Sequence, residues 1–222
     1  MEPHAPEPDA PASDFSWHVC ARLAEIDGEA RANLLRGLGI ALFYGLELAA
    51  FHGVSLGPLA LSHPRSSEQH GAISLLAGAW ALMSVAVTVL LRRRFVPPAL
   101  KFATTAGDLV FLTAILAVSD GPRSPLTVAY LLVIALAALR MSLPLVRVAT
   151  AASGACWLVL LGVSRANGTN SIPRYAQVVF LLAIVFLGVM LGQAVRRARR
   201  VAEEYAERRV TEALDLARKG PA

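Results

Sequence analysis

Six apolar stretches of about 18 to 21 residues dominate this chain, and at about 1.5 Å per helical residue that length matches a hydrocarbon layer of about 30 Å. They cover residues 37–57, 71–91, 99–119, 126–143, 145–163 and 175–195. Lipid offers no hydrogen-bond partners to a backbone, so each stretch is expected to be a helix. Of the 222 residues 55% are hydrophobic and 17% charged, with mean hydropathy +0.54, too apolar for one soluble core of this size to conceal. An all-α polytopic membrane fold with six transmembrane helices is therefore expected.

The flanks divide the chain further. Residues 1–15, rich in Pro, Ala and acids, lack the basic start and apolar centre of a secretory signal and are expected to form a disordered, retained tail. Residues 16–36 alternate apolar and charged positions and suit a helix lying at the cytoplasmic interface before the first span. Residues 37–195 form the membrane domain, and residues 196–222 a charged helix continuous with the sixth span. In that extension Val195, Ala198, Ala202 and Tyr205 have coiled-coil spacing, which then shifts register to Val210, Leu214 and Ala217.

Positive charge sets the expected orientation. With the N-terminus inside, the inner segments carry Arg92, Arg93, Arg94, Lys101, Arg140, Arg147, Arg196, Arg197, Arg199 and Arg200, against Arg65, Arg123, Arg165 and Arg174 outside. Both termini are predicted to be cytoplasmic, which places the chain in a bacterial inner membrane as a multi-pass protein. The formal net charge of +5 follows from this asymmetry, and no nucleic-acid partner is expected.

Two acids interrupt the apolar runs. Glu47 falls near the middle of the first span and Asp108 near the middle of the third, so both are expected at a similar depth, where an ionised acid costs about 2.5–3.5 kcal/mol. With no lysine at that level, and Arg140 expected to snorkel to the headgroups, protonated carboxyls or a shared proton or cation are predicted. Tyr44 stands one turn before Glu47, while Thr104 and Thr105 stand one turn before Asp108, giving each acid a hydroxyl neighbour. These residues form a candidate ligand-binding or proton-responsive site, and simple interhelical hydrogen bonding is the alternative.

His52, at the outer end of the first span, borders the same candidate pocket; His63 and His70 fall in or beside a polar loop without metal-ligand spacing, and no metal site is predicted. Cys20 and Cys156 support neither a disulfide framework nor a zinc site. Small residues every four positions in the first span, Gly45 among them, and Gly188 with Gly192 in the last, predict close helix packing within the chain or between two copies. Phosphate-binding, metalloprotease, hydrolase and kinase motifs are lacking, so no catalytic residues are assigned.

Between the third and fourth spans the turn Asp120-Gly121-Pro122-Arg123-Ser124-Pro125-Leu126 resembles the Gly-Gly-x-x-Asn-Pro-Phe segment of redox-responsive sensor histidine kinases with six-helix membrane domains. Asp120 stands for the first glycine, Ser124 for the asparagine and Leu126 for the phenylalanine; the kinase segments have no counterpart here. The resemblance implies a role for Asp120, Gly121, Ser124 and Pro125 as a periplasmic ligand-responsive turn, with a quinone as the candidate cofactor; haem held by facing histidines is the lesser alternative. It also implies a sensory module without enzyme activity of its own. Such a module would sit in the lipid bilayer, dimerise through the last span and C-terminal helix, and drive a downstream cytoplasmic effector. A small proton-coupled transporter and a membrane scaffold are the alternatives.

Overall fold

The computed structural model describes residues 11–52, 55–56, 59–60, 66–93, 97, 99–168 and 172–219. Six α-helices run in chain order: α1 (Pro11–Phe51), α2 (Ser67–Arg92), α3 (Leu100–Val118), α4 (Ala129–Leu139), α5 (Leu143–Ala166) and α6 (Arg174–Lys219). A two-residue antiparallel ladder, β1 (Ser55–Leu56) with β2 (Leu59–Ala60), lies between α1 and α2. Two 3₁₀ turns, Gly121–Arg123 and Pro125–Val128, precede α4.

Among the described residues four helices are long and apolar enough to cross a membrane: Ser67–Arg92, Leu100–Val118, Leu143–Ala166 and Arg174–Ala202. Pro125–Leu139 is shorter, because the breakers around Pro125 spend its first residues in a 3₁₀ turn. The distribution of side chains is inverted relative to a water-soluble bundle. Leu75 is 76% exposed, whereas Glu29, Arg36, Glu47, Asp108 and Arg140 are all buried. Lipid as solvent accounts for both observations, since apolar groups lose nothing by facing acyl chains and charged groups must find partners inside.

Local chemistry explains the helix ends. Ser66 caps α2 by accepting from the Gln69 amide at 3.2 Å, with Glu68 in the first turn and Arg92 in the last, each favourable to the helix dipole. α4 and α5 reverse at Met141, the one described non-glycine residue with positive φ, 51°. Pro144 lies in the first turn of α5, where its missing N–H costs no helical bond. The reversal thus pivots at Met141, three residues before Pro144.

α1 runs unbroken for 41 residues, so the separate interfacial helix expected over residues 16–36 is not a distinct element. Residues 11–36 belong to the same rod as the apolar part, and from Glu29 onward that rod packs against its neighbours. α6 likewise continues for 46 residues through the arginine cluster. In its extension Val195 is buried inside the bundle, while Ala202 and Tyr205 are exposed; the side chains of Val210, Leu214 and Ala217, like those of Cys20 and His63, lie outside the described residues.

The core centres on α4, whose Tyr130, Ile134 and Ala137 are fully buried among α3, α5 and α6. α5 and α6 approach closely at Gly188, where a Cβ would lie 2.8 Å from that of Thr150. Gly192 meets Leu143 at ordinary contact distance, so the glycine pair of the last span packs within the chain. Gly45 has open space around it and does not pack as expected. Gly188→Ala should therefore cost about 1–3 kcal/mol by overpacking, whereas Gly45→Ala should be neutral or slightly stabilising through helix propensity. Unfolding of the two variants in detergent, measured side by side, checks the contrast.

Candidate functional site

Glu29, Asn33, Arg36 and Ile40 recur at helical spacing on one face of α1, and all four are buried. This face lies on α2 and α4, and from it the two arginine-centred networks of the bundle are built. Arg36 donates from Nε to Asp108 Oδ1 at 2.6 Å and from Nη2 to Oδ2 at 2.9 Å, the two-pronged geometry that makes guanidinium–carboxylate pairs strong. Trp80 Nε1 of α2 donates to the same Oδ1 at 2.8 Å. Arg36 Nη1 donates to Asn33 Oδ1 at 2.6 Å, and Asn33 in turn donates to the Ser84 carbonyl and to Thr88 Oγ1. The network ties α1, α2 and α3 together.

One helical turn or two closer to the end carrying Lys101, Arg140 organises the second network. Its Nε lies 3.2 Å from Glu29 Oε1, and it donates to the Lys101 carbonyl, to Thr105 Oγ1 at 2.8 Å and to Thr104 Oγ1 at 3.1 Å. Arg140 therefore does not snorkel outward as expected. Its position at the end of α4, where chain direction reverses, aims it inward at carbonyl and hydroxyl groups that a headgroup layer would otherwise have to replace.

The residues expected to form one site fall into separate places. Asp108 is paired with Arg36, a partner not among those expected. Thr104 and Thr105 donate to the Lys101 carbonyl and accept from Arg140, and do not bond Asp108. Glu47 lies eleven positions beyond Arg36, about 16 Å further along α1, and belongs to another group: its Oε1 is 3.9 Å from His70 Nδ1, and His70 stacks on Phe51. Tyr44 donates to Ser74 at 3.2 Å. The expected shared depth of Glu47 and Asp108 therefore does not hold. His52 is exposed and its Nδ1 lies 2.9 Å from the Leu48 carbonyl.

The Asp120–Pro125 turn is built by local bonds. Gly121 takes φ 60°, and Ser124 is buried, accepting from the Leu126 amide at 3.3 Å and, through its carbonyl, from Thr127. It follows the far end of α3 from Lys101, about 16 Å along that helix from Asp108; residues 120–125 do not line the space beside the acid, whereas the next residue, Leu126, does.

That space is a cleft of about 800 Å³ between α1 and residues 191–198 of α6, floored by α4. Phe43, Leu112, Leu136, Leu191 and Val195 give it apolar walls, while Arg36, Asp108 and Trp80 form its single polar spot. Sequence reasoning missed Arg36 because a hydropathy boundary at residue 37 excluded it from the span. The signal lay in the register of Glu29, Asn33 and Arg36, which continues into the apolar helix without a change of face. Among the described residues no three His, Cys, Asp or Glu side chains gather as a metal would need.

The buried Arg36–Asp108 pair is held in place by hydrogen bonds from three helices. It can present fixed hydrogen-bonding groups to a molecule in the cleft, where low polarity strengthens each contact. Comparison with known proteins finds no matching family model, no curated relative and no matching solved structure.

Proposed function

We propose that this chain is a sensory module of a bacterial inner membrane, crossing six times with both termini cytoplasmic, in which occupancy of the α1–α6 cleft shifts α6 and so signals to a cytoplasmic effector. One observation carries this reading: Leu191, Ala194, Val195 and Ala198 of α6 line the same cleft as Arg36 and Asp108. α6 then runs on as the charged extension, so a molecule wedged against it acts on a lever. Arg199 Nε, donating 2.7 Å to the Met141 carbonyl, pins that lever to the α4–α5 reversal in the present packing. A ligand biases such a module only by binding two packings unequally.

Six crossings are supported by the alternation of chain direction, with α1 and α4 completing the four longer helices. The gathering of Arg92, Lys101, Arg140 and Arg196 at one end supports the inward orientation. Dimerisation through α6 fits its exposed apolar row of Val178, Leu182 and Phe186. A proton carrier relaying between Glu47 and Asp108 is opposed by the separation of about 16 Å between their levels.

The test joins a kinase or cyclase after Lys219 and reads its output in cells. Ala135→Phe, which fills the cleft, should change output several-fold, while Val159→Phe on the exposed face of α5 should not. Unaltered output from Ala135→Phe and from Asp108→Asn together would reject the cleft as the input site.

A further inference from the structure

We propose that the α1–α6 cleft takes an uncharged, single-headed amphiphile of the long-chain alcohol class, whose hydroxyl meets the Arg36–Asp108 pair; this deepens the sensory reading by naming the ligand class of the same site. The volume of about 800 Å³ falls within the range of pockets that enclose small organic ligands. Its walls are mostly side chains of Leu, Ile, Val, Ala and Phe, and Leu42, Leu132 and Leu139 among them are also exposed on the outside of the bundle, which suits an aliphatic tail arriving from lipid.

Charge decides what the head is. Arg36 and Asp108 neutralise one another, so a carboxylate, phosphate or ammonium entering beside them would bring an uncompensated charge into an apolar cleft. Exposure narrows it further: the Arg36 and Asp108 side chains are only 1% and 4% exposed, so a head reaches them through one small group rather than through the several polar contacts a sugar or phosphate needs.

Hydrogen-bond capacity then selects the hydroxyl. Protein groups supply three bonds to Asp108, two on Oδ1 from Arg36 Nε and Trp80 Nε1 and one on Oδ2 from Arg36 Nη2, of the roughly four a carboxylate accepts. Arg36 spends three of about five N–H groups on Asp108 and Asn33. A hydroxyl donates to the carboxylate and accepts from the guanidinium, whereas an ether accepts only.

Trp80 touches both the cleft and Asp108, so its fluorescence reports occupancy. The chain has three tryptophans, and Trp17→Phe with Trp157→Phe leaves Trp80 alone. The full chain in lipid nanodiscs is titrated with a mid-chain dibrominated octadecanol, its methyl ether, the corresponding dibrominated carboxylate at alkaline pH, and a dibrominated phosphatidylcholine. Saturable quenching by the alcohol is expected, with the ether and the carboxylate about tenfold weaker, the worth of one hydrogen bond to a charged group. Ala135→Phe and, from the opposite wall, Ala194→Phe should each abolish it.

Equal quenching by the ether or phosphatidylcholine means that any acyl chain fills the cleft, and overturns the proposal. So does tighter binding of the carboxylate, absence of quenching, or quenching that survives both cleft-filling variants. Selective alcohol binding with no change in the output of a fused effector would leave the ligand class standing and sink the sensory reading. A cleft-dependent output with no alcohol selectivity would do the reverse.

Discussion

Asp108→Leu is expected to destabilise the fold by about 3–5 kcal/mol, because it leaves the Arg36 guanidinium buried without its counter-charge. Trp80 Nε1 loses its acceptor in the same step. The double variant Arg36→Met with Asp108→Leu should recover most of that loss, since two apolar side chains remove the desolvation cost along with the attraction. Reversible unfolding of the wild type, both single variants and the double variant in one detergent gives the coupling energy directly. Independent, additive losses would mean that the two side chains do not form the pair described. Asp108→Asn should fall between wild type and Asp108→Leu, because an amide oxygen still accepts but carries no charge.

The second large effect is expected at Arg140. Arg140→Met removes the cationic partner of Glu29 and the donor to Thr104, Thr105 and the Lys101 carbonyl at once, with an expected cost again of about 3–5 kcal/mol. Arg140→Lys should rescue little of it, because an ammonium cannot spread donors across acceptors on two helices as a planar guanidinium does. Hydrogen exchange distinguishes this from loss of the Arg36 pair: amides in the first turns of α3 and the last turn of α4 should lose protection first, while the α5–α6 contact keeps its own. Uniform loss throughout the bundle would contradict a local role for Arg140.

Both effects concern residues whose partners the sequence assigned differently. Asp108 stood out as an acid inside an apolar run, and its need for a partner was legible. Its partner was not, because Arg36 is separated from it by 72 positions and sits where averaged hydropathy places the water boundary. Thr104 and Thr105 were legible as polar residues near Asp108 in sequence, yet their side chains point back one turn and receive Arg140 instead. The closeness of α5 and α6 at Gly188 was legible as a small-residue pattern, but the same pattern at Gly45 packs against nothing.

The sequence alone determined the solvent and the element type: apolar runs of spanning length are a local sum over neighbours, and lipid leaves a helix as their form. It also located the break between the third and fourth spans, since Gly121, Pro122 and Pro125 act through their own backbone geometry. Tertiary structure alone decided which charges meet, that α1 carries Glu29, Asn33 and Arg36 into the bundle, and that a cleft opens between α1 and α6. Pairing depends on the relative rotation and height of helices distant in the chain, which are fixed by how all six pack together and are written in no single segment.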